Sequence, residues 1–149
     1  MARPESDLLD AAESHLRVGS AADVADAITR AHLPDFRAVG WYGVPPAGWS
    51  VAIDAEYADQ VIPAPLVRRF GPDRFWERWT RAECLCKLAD LPMLAWWPVH
   101  GLDVPPDFAG VWRTLQLEPA EADEVRRLIV TIALAPTVAR PSLAPSVQP

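Results

Sequence analysis

The segment Arg74 to Ala89, RFWERWTRAECLCKLA, constrains this chain more than any other. Its sixteen residues, without Gly or Pro, stand between Gly71-Pro72-Asp73 and Asp90-Leu91-Pro92. Asp73 is a candidate N-cap and Pro92 a stop, so the segment predicts a long helix. Its neighbours follow a different period. Trp49 to Tyr57, WSVAIDAEY, alternates apolar and polar residues as a strand does, with a turn at Val44 to Gly48 before it. Phe36 to Tyr42, Val111 to Leu117 and Val125 to Leu134 read as further strands. A helix that long among strands not separated by regular crossovers implies an α+β fold, with an antiparallel sheet packed against the helix.

The remaining segments fill in the organisation. Residues 7–17 predict a short amphipathic helix capped by Ser6, with Leu8, Leu9, Ala12 and Leu16 on one face. Ser20 and Asp23 have capping-box spacing and predict a second helix running to Arg30. Residues 1–34 are thus expected to form a helical pair ending at Pro34. IPAPLVRRF suits a short helix with Pro65 in its first turn. Residues 92–110, rich in Pro and Trp, are expected to be irregular with short extended pieces. Glu118 to Glu124 reads as an acidic loop. A single domain over residues 1–136 is followed by a tail, residues 137–149, whose prolines predict disorder.

Composition removes several function classes. The longest strongly apolar run, Leu128 to Pro136, is less than half the ~20 residues a membrane span requires. A net charge of -6, with 20 acidic against 14 basic residues, argues against a general nucleic-acid binder. Cys84 and Cys86 are too close to staple a fold, and the N-terminus lacks the apolar stretch of a signal peptide. A reducing, cytoplasmic location is expected. Half of the residues are apolar and seven are Trp, enough to build a core without disulfides.

Two spacings carry potential chemistry. Asp54 and Glu56 lie two apart in a strand and so share a face. Trp79, Glu83 and Lys87 lie four apart in the long helix and share a face there. Lys87 is the only lysine of the chain. If the two faces meet, three carboxylates and an ammonium converge. Crowded carboxylates repel, and a hard divalent cation such as Mg²⁺ relieves the repulsion while bridging to phosphates. Each spacing alone also describes ordinary solvated decoration, a surface ion pair contributing roughly 0.3–0.5 kcal/mol. The Phe75, Trp76, Trp79 cluster suits a core. Trp96, Trp97 and Trp112 suit either core packing or an apolar ligand pocket.

The joint order of these segments resembles the 4'-phosphopantetheinyl transferase superfamily. Val51-Ala52-Ile53-Asp54-Ala55-Glu56 resembles the family's strand motif (V/I)G(I/V)D(I/V)E. Trp79 to Lys87, WTRAECLCK, resembles its helix motif W-x-x-K-E-(A/S)-x-x-K. Leu66 to Phe70 and Leu128 to Pro136 resemble the intervening helix and the closing strand. The chain departs from the family at Ala82, where the motif has Lys, at Ala52, where it has Gly, and at Ala89 to Pro92. The S-H-S-type segment of the larger members is not recognisable in residues 38–49, and His15, His32 and His100 fit no motif.

The resemblance implies a phosphopantetheinyl-transferase-like lobe and transfer of the phosphopantetheine arm from coenzyme A to a serine of an acyl or peptidyl carrier protein. By motif position Asp54, Glu56 and Glu83 would ligate Mg²⁺. Glu56, Glu83 and Lys87 would act in catalysis, with Lys87 and Arg81 contacting coenzyme A. Arg81, one residue from Ala82, is about 100° around the helix and replaces the motif lysine poorly. A chain too short for two full lobes could complete its site as a homo-oligomer. The alternative is a family relative of polyketide or nonribosomal-peptide biosynthesis that binds a carrier protein or an acyl ligand without transfer. An interaction domain outside the family is a third reading.

Overall fold

A computed structural model describes residues 3–118 and 126–137. The predicted Val125 start, most of the acidic loop and the tail beyond Thr137 lie outside them.

The alternation of Trp49–Tyr57 produces the strand at the centre of the architecture. Strand β4 (Trp49–Tyr57) pairs antiparallel with β6 (Leu128–Pro136), which pairs with β5 (Val111–Leu117), giving the order β4-β6-β5. Ile53, Ala55 and Tyr57 of β4, with Leu128, Val130, Ile132 and Leu134 of β6, enter one core. That core also takes Ala31, Val39 and Trp41 from a second antiparallel sheet. This sheet has the order β1-β3-β2, with β1 (Leu16–Ser20), β2 (Thr29–His32) and β3 (Arg37–Trp41). The alternate residues of β4 and β6 point the other way, where Ala52 and Ala133 meet Cys84 of the long helix. Period two thus sorts the central strands between a sheet and a helix.

Three further segments follow the sequence closely. Helix α2 (Ala64–Phe70) has its proline at the start, and α3 (Phe75–Ala89) fills nearly the whole predicted span. Its start differs in mechanism. Asp73 does not cap; Arg74 is the N-cap residue, left-handed at φ 46°. The Arg78 guanidinium instead reaches back to the carbonyls of Phe70, Gly71 and Asp73 at 2.8–3.0 Å, closing the break before α3. At the other end Asp90 is left-handed, and the Leu91 amide donates to the Cys86 carbonyl at 3.0 Å.

The expected N-terminal helical pair is corrected. Helix α1 (Pro4–Asp10) is capped at Arg3 rather than Ser6, and a 3₁₀ turn (Ala12–His15) leads directly into β1. The Ser20–Asp23 capping box does form: the Ser20 amide donates to Asp23 Oδ2 at 2.9 Å, and the Asp23 amide to Ser20 Oγ at 3.1 Å. The helix it should open does not propagate. Residues 21–26 are turns and Thr29–His32 is β2. Val24, almost fully buried, packs on β3 at Gly40, where a Cβ would stand 2.8 Å from Val24 Cβ. Strand pairing with β3 and this burial outweigh a local helical start worth about 1 kcal/mol.

The predicted irregular stretch 92–110 is also corrected. It opens with α4 (Met93–His100), which holds Pro98 internally. Trp96 of α4 packs with Leu85 and Cys86 of α3, so α3 lies between the central sheet and α4. Among the described residues no helix is long and apolar enough to cross a membrane.

Candidate functional site

Strand β4 and helix α3 bring together the residues that the two spacings single out. Asp54 and Glu56 lie on the helix-facing side of β4, one and three positions from the Ile53 that enters the opposite core. From α3, Lys87 Nζ donates to the Ile53 carbonyl at 2.6 Å and stands 3.5 Å from Asp54 Oδ1. The Lys87 side chain keeps 37% of its exposure while Asp54 keeps 14%. The ammonium therefore covers the carboxylate from the solvent side. Asp54 Oδ2 is buried with no hydrogen-bond partner among the described residues.

Helix α3 is seated over the sheet by hydroxyls as well as apolar groups. Thr80 Oγ1 and Thr114 Oγ1 each lie 2.8 Å from Thr131 Oγ1, linking α3 to β6 and β5. The Cys84 thiol donates to the Thr131 carbonyl at 3.2 Å. These contacts fix the turn of helix that carries Glu83.

Electrostatics record an excess of negative charge. Burial pushes the Asp54 carboxyl up to about 8; the charges of Glu83 and Glu56 add to this, while Lys87 pulls it down. Burial pushes Glu56 up to about 7, with Glu83 adding and Lys87 opposing. Glu83 is raised by burial against the pull of Lys87. One ammonium serves three carboxyl groups, so at neutral pH the cluster retains protons.

This donor set has the chemistry of a hard-cation site: three carboxylates, uncompensated charge and an unpartnered buried oxygen on Asp54. The side chains are not drawn together as ligands, however. Among the described residues no group of three or more His, Cys, Asp or Glu is disposed to hold a metal ion. The carboxylates are thus near enough to raise one another without forming a closed ligand shell. A cation would require side-chain rotation of Glu56 and Glu83.

Arg81 is not among them. Its guanidinium lies 4.9 Å from the Trp112 ring on β5 and donates to the Leu102 carbonyl at 3.4 Å. The 100° offset between Arg81 and Ala82 carries it toward the other edge of the sheet. Ala82, at the position of the motif lysine, is fully buried in a cluster with Phe75, Trp76, Leu102 and Ile129.

Of the tryptophans, Trp97 stands 5.5 Å from Trp79 and 5.8 Å from Phe70 in a packed cluster. Trp96 instead lines a cavity of about 770 Å³ beside the C-terminal end of α3. Leu88, Phe108 and Lys87 also line it, and His100 forms part of its wall, 4.3 Å from Trp96 between ring centres. The carboxylates of Asp54, Glu56 and Glu83 do not line this cavity. No motif marked His100 or Phe108; only the clustering of aromatic residues in that stretch hinted at an apolar pocket.

Comparison with protein-family models, curated proteins and solved structures finds no match for this chain. The fold and the named side chains therefore carry the functional reading.

Proposed function

We propose that the chain transfers the 4'-phosphopantetheine arm of coenzyme A to a serine hydroxyl of an acyl or peptidyl carrier protein, at the carboxylate cluster where β4 faces α3. The observation that supports this reading is the facing of two motif segments. Asp54 and Glu56 project from β4 toward the helix that carries Glu83 and Lys87, and Lys87 contacts both Ile53 and Asp54.

Asp54 and Glu83, with Glu56, are the residues that would hold Mg²⁺. That ion, when bound, would neutralise charge on the pyrophosphate of coenzyme A. The chain's own groups supply the rest. Glu56, where it does not itself ligate the ion, would take the proton from the serine hydroxyl through one water. The serine oxygen forms a bond to the phosphorus that carries the pantetheine arm. The bond from that phosphorus to the bridging oxygen breaks, and adenosine 3',5'-bisphosphate departs. Lys87, freed from Asp54, would contact the pyrophosphate as a point charge.

The test is titration of coenzyme A into the protein with and without Mg²⁺, followed by mass measurement of a carrier protein incubated with both. Metal-dependent binding and a mass gain of one phosphopantetheine are expected. Glu83→Gln should abolish the gain and leave the fold intact. Absence of binding under both conditions would overturn the transferase reading. It would favour a relative that binds without transferring, a reading supported by the apolar cavity that adjoins Lys87 and excludes the carboxylates.

A further inference from the structure

Strand β5 is an edge of the central sheet, paired to β6 on one side only. An edge strand turns the N–H and C=O groups of alternate residues outward, where they can pair with another chain. Among the described residues, no backbone hydrogen bond reaches Val111 to Leu117 from any element but β6. None of the seven residues of β5 is buried, whereas β6 beside it is buried from Leu128 to Leu134. Such edges are ordinarily guarded by proline, a bulge or a free charge. β5 lacks these guards. Its register with β6 runs unbroken from Val111–Leu134 to Leu117–Leu128. Its one charged residue, Arg113, is engaged by the Leu9 carbonyl of α1 at 3.0 Å. The opposite edge strand, β4, does carry a guard, because Lys87 takes its Ile53 carbonyl.

We propose that β5 pairs antiparallel with β5 of a second copy of this chain about a two-fold axis at Thr114, joining two three-stranded sheets into one of six strands. The strand is self-complementary in that register. Val111 faces the partner's Leu117, Trp112 faces the partner's Gln116, Arg113 faces the partner's Leu115, and Thr114 meets its own copy. Threonine pairs and apolar pairs across strands are favourable. Moving the axis to Arg113 would set two guanidinium groups opposite each other, and moving it to Leu115 would leave Val111 and Trp112 without strand partners. Both layers continue through the seam. Trp112, Thr114 and Gln116 stand on the α3 side, beside Arg81, Thr131 and Glu77, while Val111, Leu115 and Leu117 pack on the opposite core. A two-fold axis perpendicular to the sheet keeps each set on its own side. Charge also favours a second copy. The chain carries a net charge of -6, yet no carboxylate lies within Val111 to Leu117, so two acidic molecules can meet along this strand. The carboxylate cluster on β4 lies two strands from the seam, so the pairing neither completes nor blocks it and is independent of the transferase reading.

The test is sedimentation equilibrium of the full chain over a concentration series. A dimer of about twice 16.4 kDa is expected. Trp112→Glu with Gln116→Glu sets carboxylates opposite each other at both 112–116 pairs of the seam, and Trp112→Lys with Gln116→Lys does the same with ammonium groups. Both positions are exposed in the single chain, so circular dichroism should remain that of the unmodified protein. Each double variant should raise the dimer dissociation constant at least about tenfold. An equimolar mixture of the two should dimerise again, since every carboxylate then faces an ammonium. A monomeric unmodified chain would overturn the proposal without recourse to any variant. Dimers that neither double variant weakens, or folded variants whose mixture stays monomeric, would overturn it too.

Discussion

The ammonium of Lys87 donates a 2.6 Å hydrogen bond to the backbone carbonyl of Ile53, binding the last turns of α3 to an edge strand of the central sheet. The same ammonium offsets Asp54. Lys87→Met keeps most of the aliphatic stem and removes both effects. A loss of about 1–2 kcal/mol in urea unfolding is expected. The loss should be larger at pH 8 than at pH 5, because the carboxylates carry more charge there. Equal losses at the two pH values would show that the charge of Lys87 is not what matters.

The carboxyl cluster sets the sign of the pH dependence. Asp54 and Glu56 are raised, to about 8 and about 7, and Glu83 is raised as well. The folded state therefore binds more protons than the unfolded chain between about pH 4 and 8. Their contribution to stability is complete below pH 4 and is lost as pH rises through that window. The slope is up to about 1.4 kcal/mol per pH unit for each group titrating. Thermal midpoints measured from pH 5 to 8 should fall, and Asp54→Asn should flatten the decline.

Mg²⁺ binding at these carboxylates, as the transferase reading requires, must displace their protons. Adding MgCl₂ to a weakly buffered solution at pH 7 should release protons, and a chelator should reverse the release. Glu83→Gln should reduce it. A pH trace unchanged by MgCl₂ would count against a cation site at β4 and α3.

Buried Thr131 meets two hydroxyls, that of buried Thr80 and that of half-buried Thr114, each at 2.8 Å. Thr131→Val preserves shape and strands both partners, although Thr80 keeps a 3.2 Å bond to the Glu77 carbonyl. A destabilisation of about 1–3 kcal/mol is expected from urea midpoints. A neutral effect would mean that the hydroxyl chain adds nothing to seating α3.

Phe36 sits in the turn between β2 and β3 at φ 67°, with its side chain 92% exposed. A bulky residue there is strained in the left-handed region and gains almost no burial in return. Phe36→Asn should raise stability by about 0.5–1 kcal/mol, read as an increase of about 2 °C in the thermal midpoint. A fall would show that the aromatic ring makes a contact in solution that matters to folding.

How much of this was legible in the sequence depended on whether local pattern and tertiary environment agreed. In β4 they agree: alternation from Ile53 onward sends Ile53 and Tyr57 to the sheet-sheet core and Asp54 and Glu56 to the helix side, and the strand limits match the predicted ones. In α3 the four-residue spacing places Glu83 and Lys87 on the face that meets β4. At Ser20 and Asp23 the two disagree. The capping hydrogen bonds are local and form as the spacing predicts, but the chain then turns and enters β2, which forms a hairpin with the β3 already expected from Phe36 to Tyr42, while Val24 is buried against Gly40 of that strand. Helix α4 was missed for another reason. Its residues are apolar on several sides and include Pro98, so no amphipathic stripe distinguishes it from an irregular Trp- and Pro-rich stretch. The cavity followed α4 out of view, because His100 and Phe108 meet Lys87 only through tertiary packing.

Ala82 limits what this turn of α3 can hold. The lysine that the resemblance would place there has no room, since Ala82 is enclosed by Phe75, Trp76, Leu102 and Ile129. Restoring it would bury an unpaired ammonium among aromatic rings, a change of several kcal/mol set against the total stability of an ordinary domain. This position of α3 thus accepts a small apolar side chain, and packing against the aromatic cluster decides its identity ahead of any chemistry at the neighbouring Glu83.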